Sequence, residues 1–295
     1  MPNTLAHLGL QSLASKAVFR SVDVKWIGLG CLIPDLPWIL QRVVKVAGSV
    51  DPLDLRLYTT IQATLLFSLL PAAAISLQAK NSRKIFLILA CNVLLHLLLD
   101  PTQIKWANGT HLLAPFSWHL LRFDWYWPEE WPTWVLTLAG CALFPYFAWQ
   151  DRDRRTTLIH SRKRLGAGFV LIGFYLLMPL FMLHGPLRAN NHFLRTLQMQ
   201  DRTNKSIEFD RTAYQASDHT ILTLTGERLK LEKPLPADST TVSIKGYFLD
   251  NNTILVSKYH VHSPLRDLLS IVGVILILTS WLVALLNKRI SIVPK

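Results

Sequence analysis

His96 and Asp100 stand four residues apart at the end of an apolar run, Ile85 to Leu99. At helical spacing their side chains share one face. Ionisable groups inside so apolar a segment are costly unless paired, ligated or wetted, which makes the pair a candidate site. Two more groups, His7 and Asp35, lie within or beside apolar sequence in the first part of the chain. Imidazole nitrogen and carboxylate oxygen suit zinc, manganese or iron, and a catalytic centre needs three or four of them with a position left for water. A bound divalent ion, zinc or manganese first, would bring the pKa of its water towards neutrality and polarise a phosphoryl or carbonyl oxygen. That is hydrolysis without a serine or cysteine nucleophile. Each residue also has a quieter reading. His7 can rest at a headgroup boundary, Asp35 can cap a half-helix, and His96 with Asp100 can bond each other.

The elements that must position these groups are helices in a membrane. The 295 residues are 51% hydrophobic and only 17% charged, with ten tryptophans, which describes a polytopic membrane protein. Apolar stretches predict five spans, Ile61 to Gln78, Lys84 to Leu99, Thr133 to Trp149, Ala167 to His184 and Leu268 to Leu286. Trp26 to Ala47 is a sixth candidate, interrupted by Pro34, Asp35 and Pro37, a pattern suited to a broken or re-entrant segment better than to a plain span. Met1 to Arg20 has an amphipathic helical period, with Thr4 as its expected cap, and no cleavable signal pattern. Cys31, Cys91 and Cys141 lack metal-site spacing and read as packing residues.

Lys80 to Lys84 and Asp151 to Arg164 are short basic loops and are therefore expected on the cytoplasmic side, with Lys288, Arg289 and Lys295 at the chain end. Pro101 to Pro132, rich in tryptophan, and Gly185 to Pro264 then face outward. Lys16, Arg20 and Lys25 favour a cytoplasmic start, whereas five spans with a cytoplasmic end require an outside start. On this reading His7 reaches Asp100 only if Trp26 to Ala47 is re-entrant. The net charge of +12 lies largely in the basic loops, so topology and anionic lipid explain it better than nucleic acid, which is not expected as a partner.

Within 185–264 the chain turns to alternation: Ser206 to Arg211, Thr220 to Glu232, Thr241 to Leu249 and Thr253 to His262, the last two joined by Asp250-Asn251-Asn252. These strands predict a small antiparallel barrel resembling an OB-fold in strand pattern alone. Lys245, Lys258, His260 and His262 read as solvated side chains of a hairpin, with the lining of a binding face as the alternative.

Ala6-His7-Leu8, Leu32-Ile33-Pro34-Asp35-Leu36, His96 to Asp100 and Gly109 to Pro115 occur in an order that resembles the YdjM-type membrane-bound metal-dependent hydrolases, over roughly the first half of the chain. The resemblance implies a metal held by His7, Asp35, His96 and Asp100, with Asp35, His96 and Asp100 in the catalytic role. Where the family carries a His-Arg-Gly-x-Thr-His-Ser element, this chain has Tyr58 to Thr64 without either histidine. Gln62 is a poor replacement ligand, and His111 is the remaining substitute.

Two functions are thereby expected in turn. The first is an inner-membrane hydrolase of bacterial type, cutting a lipid-like phosphoester or ester at the outer headgroup level near the aromatic loop. The second is an inactive relative that serves as scaffold or binds an envelope or polysaccharide-assembly partner through 185–264. The expected organisation is a helical membrane domain over 1–184, an extracytoplasmic OB-like barrel over 185–264, and a final span with a cytoplasmic tail over 265–295.

Overall fold

The computed structural model describes residues 3–294 apart from positions 20, 49, 191 and 237; Arg20 and Lys295, used in the charge reading, lie outside the described residues. The chain begins with α1 (Thr4–Val18), α2 (Val24–Leu32), a 3-10 turn (Ile33–Asp35) and α3 (Leu36–Ala47). Asn3, not Thr4, caps α1, its side-chain oxygen accepting from the Ala6 amide. Pro34 falls in the first positions of the 3-10 turn and Pro37 in those of α3, where a missing N–H costs nothing. The axis therefore continues through the turn, and Val24–Val46 passes as a single 23-residue apolar segment.

α4 (Pro52–Gln62) and α5 (Leu65–Leu77) follow, bent by 66° at their junction, then α6 (Ser82–Leu99), a 3-10 turn (Asp100–Thr102), α7 (Trp131–Gln150), β1 (Thr156–His160) and α8 (Arg162–Leu177). Four segments among the described residues are long and apolar enough to cross a membrane: Val24–Val46, Ser82–Thr102, Arg162–Phe181 and Leu265–Leu286. The bent α4–α5 pair makes a fifth if it counts as one span. The expected span Ile61 to Gln78 is thus the second arm of a bent pair. Thr133 to Trp149 is a continuous helix, α7, but lies outside those four, since Trp131, Pro132, Trp134, Pro145 and Tyr146 dilute its hydropathy.

α1 is the least expected element. It is buried almost all round, with Leu5, Leu8, His7, Gln11 and Ser12 inaccessible, and it packs chiefly along α7. The contact is backbone to backbone. A Cβ built on Gly140 would stand 1.9 Å from the Leu5 carbonyl oxygen, and one on Gly9 would stand 2.4 Å from that of Leu136. Only paired glycines allow this approach.

After the short helices α9 (His184–Ala189) and α10 (Leu194–Leu197) come β2 (Ser206–Gln215), β3 (Thr220–Leu222), β4 (Arg228–Leu231), β5 (Thr240–Phe248) and β6 (Thr253–Val261). They close into a five-stranded barrel in the order β2-β3-β4-β6-β5, antiparallel except for β4 beside β6. Alternating residues such as Ile207, Phe209, Ile221, Leu229, Leu231, Val242 and Ile244 fill its interior. Thr220 to Glu232 is not one strand. Gly226, at φ +87°, turns the chain back so that β3 and β4 pair as a hairpin. The turn at Asp250 is as its residue types suggest, with Oδ1 accepting from the Asn252 and Thr253 amides.

The final helix α11 (Leu265–Leu286) leads to β7 (Ile290–Pro294), which pairs in parallel with β1 and joins the basic loop to the chain end, a feature that short runs of mixed residues did not announce. The basic loop is also partly engaged within the protein. Asp151 is buried against Lys16 and Arg154, and Arg164 donates to the carbonyls of Leu77 and Ala79. Its full charge is therefore not free for lipid.

Candidate metal centre

Three elements bring the four candidate residues together. His7 projects from the first half of α1, His96 and Asp100 come from the last turn of α6 and the 3-10 residue after it, and Asp35 ends the 3-10 turn between α2 and α3. His7 Nε2 lies 3.4 Å from Asp100 Oδ1. His96 Nε2 lies 3.5 Å from Asp35 Oδ1 and 3.9 Å from Asp100 Oδ2. The two imidazoles stack nearly parallel with centroids 3.7 Å apart. His7, His96 and Asp100 offer ligand atoms that all lie within 4.8 Å of one another, and Asp35 joins through His96.

These separations carry chemical information. Four ligands at about 2.1 Å from a tetrahedral zinc ion stand about 3.4 Å from one another. The observed 3.4–3.9 Å contacts match that spacing better than the 2.7–2.9 Å of a charge-assisted hydrogen bond. Consistent with this, both ring nitrogens of His7 and of His96, together with Asp35 Oδ1 and Asp100 Oδ1, are buried without a hydrogen-bond partner. A buried imidazole with two idle nitrogens is expensive. A divalent cation among these atoms would satisfy them, so the residues fit a metal.

The orientation problem set by the sequence resolves through α1. At one end of the bundle Asp151 Oδ2 accepts from Lys16 Nζ at 2.6 Å and from the Val24 amide at 2.9 Å, which fixes the α1–α2 turn beside the end of α7. His7, Asp35 and Asp100 lie at the opposite end. His7 meets Asp100 because α1 packs inside the bundle, antiparallel to α2, so the contact holds with Val24–Val46 as one apolar segment and does not depend on a re-entrant Trp26 to Ala47. Lys16 and Lys25 mark the turn between them, not the position of the chain start; Lys25 pairs with Asp23 at 2.6 Å.

Two groups that the sequence reading passed over sit in the centre. Lys105, also buried, places Nζ 3.5 Å from Asp100 Oδ1. Cys31, fully buried, touches His96. Lys105 lies in the loop between α6 and α7, away from any apolar run, so only its spacing of five residues from Asp100 could have suggested it. The proposed substitutes do not join. His111 Nδ1 bonds the Trp118 carbonyl at 3.0 Å, and Gln62 donates to Tyr58 Oη and the Tyr175 carbonyl, which binds the Tyr58 to Thr64 stretch to α8.

The aromatic loop is divided in use. Phe116, Trp125 and Trp131 are exposed, whereas Trp127 stacks on His260 at 3.8 Å and Trp106 meets Trp127 edge-on. Trp118 helps line a cavity of about 500 Å³ with His184, Gly185 and Arg188. The barrel is fastened to this loop by charge. Glu208 accepts from the Ala107 amide and pairs with Arg122 at 2.9 Å and Lys245 at 2.7 Å. Burial disfavours its charged form, but the Ala107 amide, Lys245 and Arg122 outweigh burial and hold its pKa at about 2. Lys245, His260 and His262 are therefore not the solvated hairpin residues expected: Lys245 pairs with Glu208, and both histidines meet Glu129.

No family model, curated protein or solved structure matches this chain.

Proposed function

We propose that the chain is a multi-pass membrane hydrolase of the YdjM type, using a divalent ion held by His7, His96 and Asp100 with Asp35 beside them. The observation that carries this reading is the convergence of three separate elements on buried imidazole and carboxylate atoms that face one another at ligand-like spacing without making a hydrogen bond. Zinc or manganese suits that donor set. When bound, such an ion supplies an acidified water and an electrophile for a phosphoryl or carbonyl oxygen. Asp35 Oδ1 faces the same His96 Nε2 that would bind the ion, so Asp35 is either a fourth ligand oxygen or the carboxylate that accepts a proton from the ion's water. Lys105, fixed beside Asp100, brings a positive charge to an anionic substrate oxygen.

The substrate class follows from surroundings. The centre is at the end of α6 that leads into the tryptophan-bearing loop, and exposed Phe116, Trp125 and Trp131 suit a headgroup interface. A lipid-like phosphoester or ester at the outer leaflet of a bacterial-type inner membrane fits, with 185–264 extracytoplasmic and the chain end cytoplasmic. The placement of Tyr58 to Thr64 on α8 supports a second reading, in which the family's histidines are not replaced and the chain binds a partner through its barrel without turnover.

Metal content by mass spectrometry on detergent-purified protein separates the two. The hydrolase reading expects one metal equivalent per chain to disappear in both His96→Ala and Asp100→Ala while the helical signal persists, and lipid phosphoester turnover to disappear with it. Folded wild type whose metal content is unaffected by either change sinks this reading and leaves the scaffold.

A further inference from the structure

A second cluster lies where the barrel meets the membrane domain. Glu129, just before α7, places Oε2 3.0 Å from His260 Nε2 and Oε1 3.0 Å from His262 Nδ1. His260 is on β6 and His262 just beyond it, two residues apart, so both rings face the same way. The three ligand atoms lie within 4.8 Å of one another, but the two 3.0 Å contacts are of hydrogen-bond length, so it is the count of protons and not the spacing that points to a cation here.

The hydrogen-bond chain behind His262 is short of one proton. His262 Nε2 meets Ser243 Oγ at 2.8 Å, and Ser243 Oγ meets Asp210 Oδ1 at 3.1 Å. The Arg211 amide already donates to Ser243 Oγ, and Asn108 donates to the other oxygen of Asp210. The chain Glu129–His262–Ser243–Asp210 contains three contacts, while a neutral imidazole and a hydroxyl bring two hydrogens. If serine donates to Asp210 and His262 Nε2–H donates to serine, the Nδ1 lone pair faces a carboxylate oxygen at 3.0 Å. A cation in that gap removes the repulsion. The same tautomer is the one a metal-bound histidine adopts, with its far N–H held by a hydroxyl that is itself held by a carboxylate.

We propose that Glu129, His260 and His262 form a zinc site with an open fourth position, which fastens the barrel to the loop before α7. The donor set, two imidazoles and one carboxylate, suits zinc, and partial exposure of Glu129 and His260 leaves room for a water as fourth ligand. Arg211 Nη1, 3.8 Å from Glu129 Oε1, opposes the ion's charge; the other terminal nitrogen, Nη2, lies 3.9 Å from Asp267 Oδ2, which draws the guanidinium the other way. Trp127, stacked on His260, holds that ring in place. The ion would tie three parts of the chain, the outward loop, β6 and the start of α11.

The test uses the full chain in detergent, stripped by chelator, with zinc itself as the probe. In a chain carrying His96→Ala and Asp100→Asn, which removes the first centre, titration calorimetry is expected to give one zinc per chain. Adding His260→Ala and His262→Ala should abolish that binding and speed protease cleavage between the barrel and α11. A folded His96→Ala/Asp100→Asn chain that takes up no zinc overturns the proposal, because a proton on His262 then fills the gap; so does zinc uptake that survives loss of both histidines. Should that background fail to fold, His260→Gln alone is compared with wild type. A loss of one zinc per chain supports the site, and unchanged content overturns it.

Discussion

Gly140→Ala tests how the first centre is held, because it adds one methyl group at a distance from every candidate ligand. The new Cβ would stand 1.9 Å from the Leu5 carbonyl oxygen, where ordinary contact begins at 3.4 Å. α1 and α7 must therefore part by about 1.5 Å at this level, since neither contacting group is a flexible side chain. Overpacking of this kind costs about 1–3 kcal/mol. His7 is two residues along α1 from Leu5 and moves with it, so His7 Nε2 leaves the position it shares with Asp100, 3.4 Å away. A ligand displaced but still present resembles one that has lost the partner orienting it, which weakens metal binding roughly 10–100-fold. The assay is cobalt or zinc affinity together with thermal unfolding in detergent, beside Gly166→Ala, whose Cβ meets nothing within 4 Å. The expectation is weaker metal and lower Tm for Gly140→Ala alone. Equal affinity and Tm in the two variants would refute the claim that the glycine crossing positions His7.

Three further outcomes are expected. Glu208→Gln should loosen the barrel from the outward loop at neutral pH by about 1–2 kcal/mol after allowance for solvent screening, read by hydrogen exchange at 101–130. Because the folded pKa of Glu208, about 2, lies below its ordinary 4.5, wild-type docking is fully supported above about pH 4.5 and is lost as pH falls towards 2; the variant should lack that acid-dependent leg. His111→Ala should retain the first metal equivalent, as its ring bonds the Trp118 carbonyl, and metal loss in a folded variant would contradict that placement. Asp151→Asn should lower Tm by weakening the hold on Lys16 and Arg154 at the α1–α2 turn, with double-mutant cycles against Lys16→Met giving a non-zero coupling.

The long apolar helices, the strand-rich insertion before the last helix and the four polar residues that the fold brings together were legible in the amino-acid sequence, because each is written in local pattern: apolar run length, alternation, and ionisable groups out of place in apolar sequence. His96 and Asp100 needed only helical spacing to be paired. Tertiary structure alone decided that His7 joins them, since α1 is too short and polar to announce itself as a buried helix and enters the bundle through backbone contact at Gly9 and Gly140. The break of Thr220 to Glu232 into two strands depended on one left-handed glycine within an unbroken alternation. Glu129, His260 and His262 are brought together by long-range contact, Glu129 reaching across 131 positions to His260, and no local pattern records such a meeting; Lys105 meets Asp100 from only five residues away, through the fold of the loop after it. Periodicity specifies which face of an element is apolar; which faces meet is set by close packing among all of them at once.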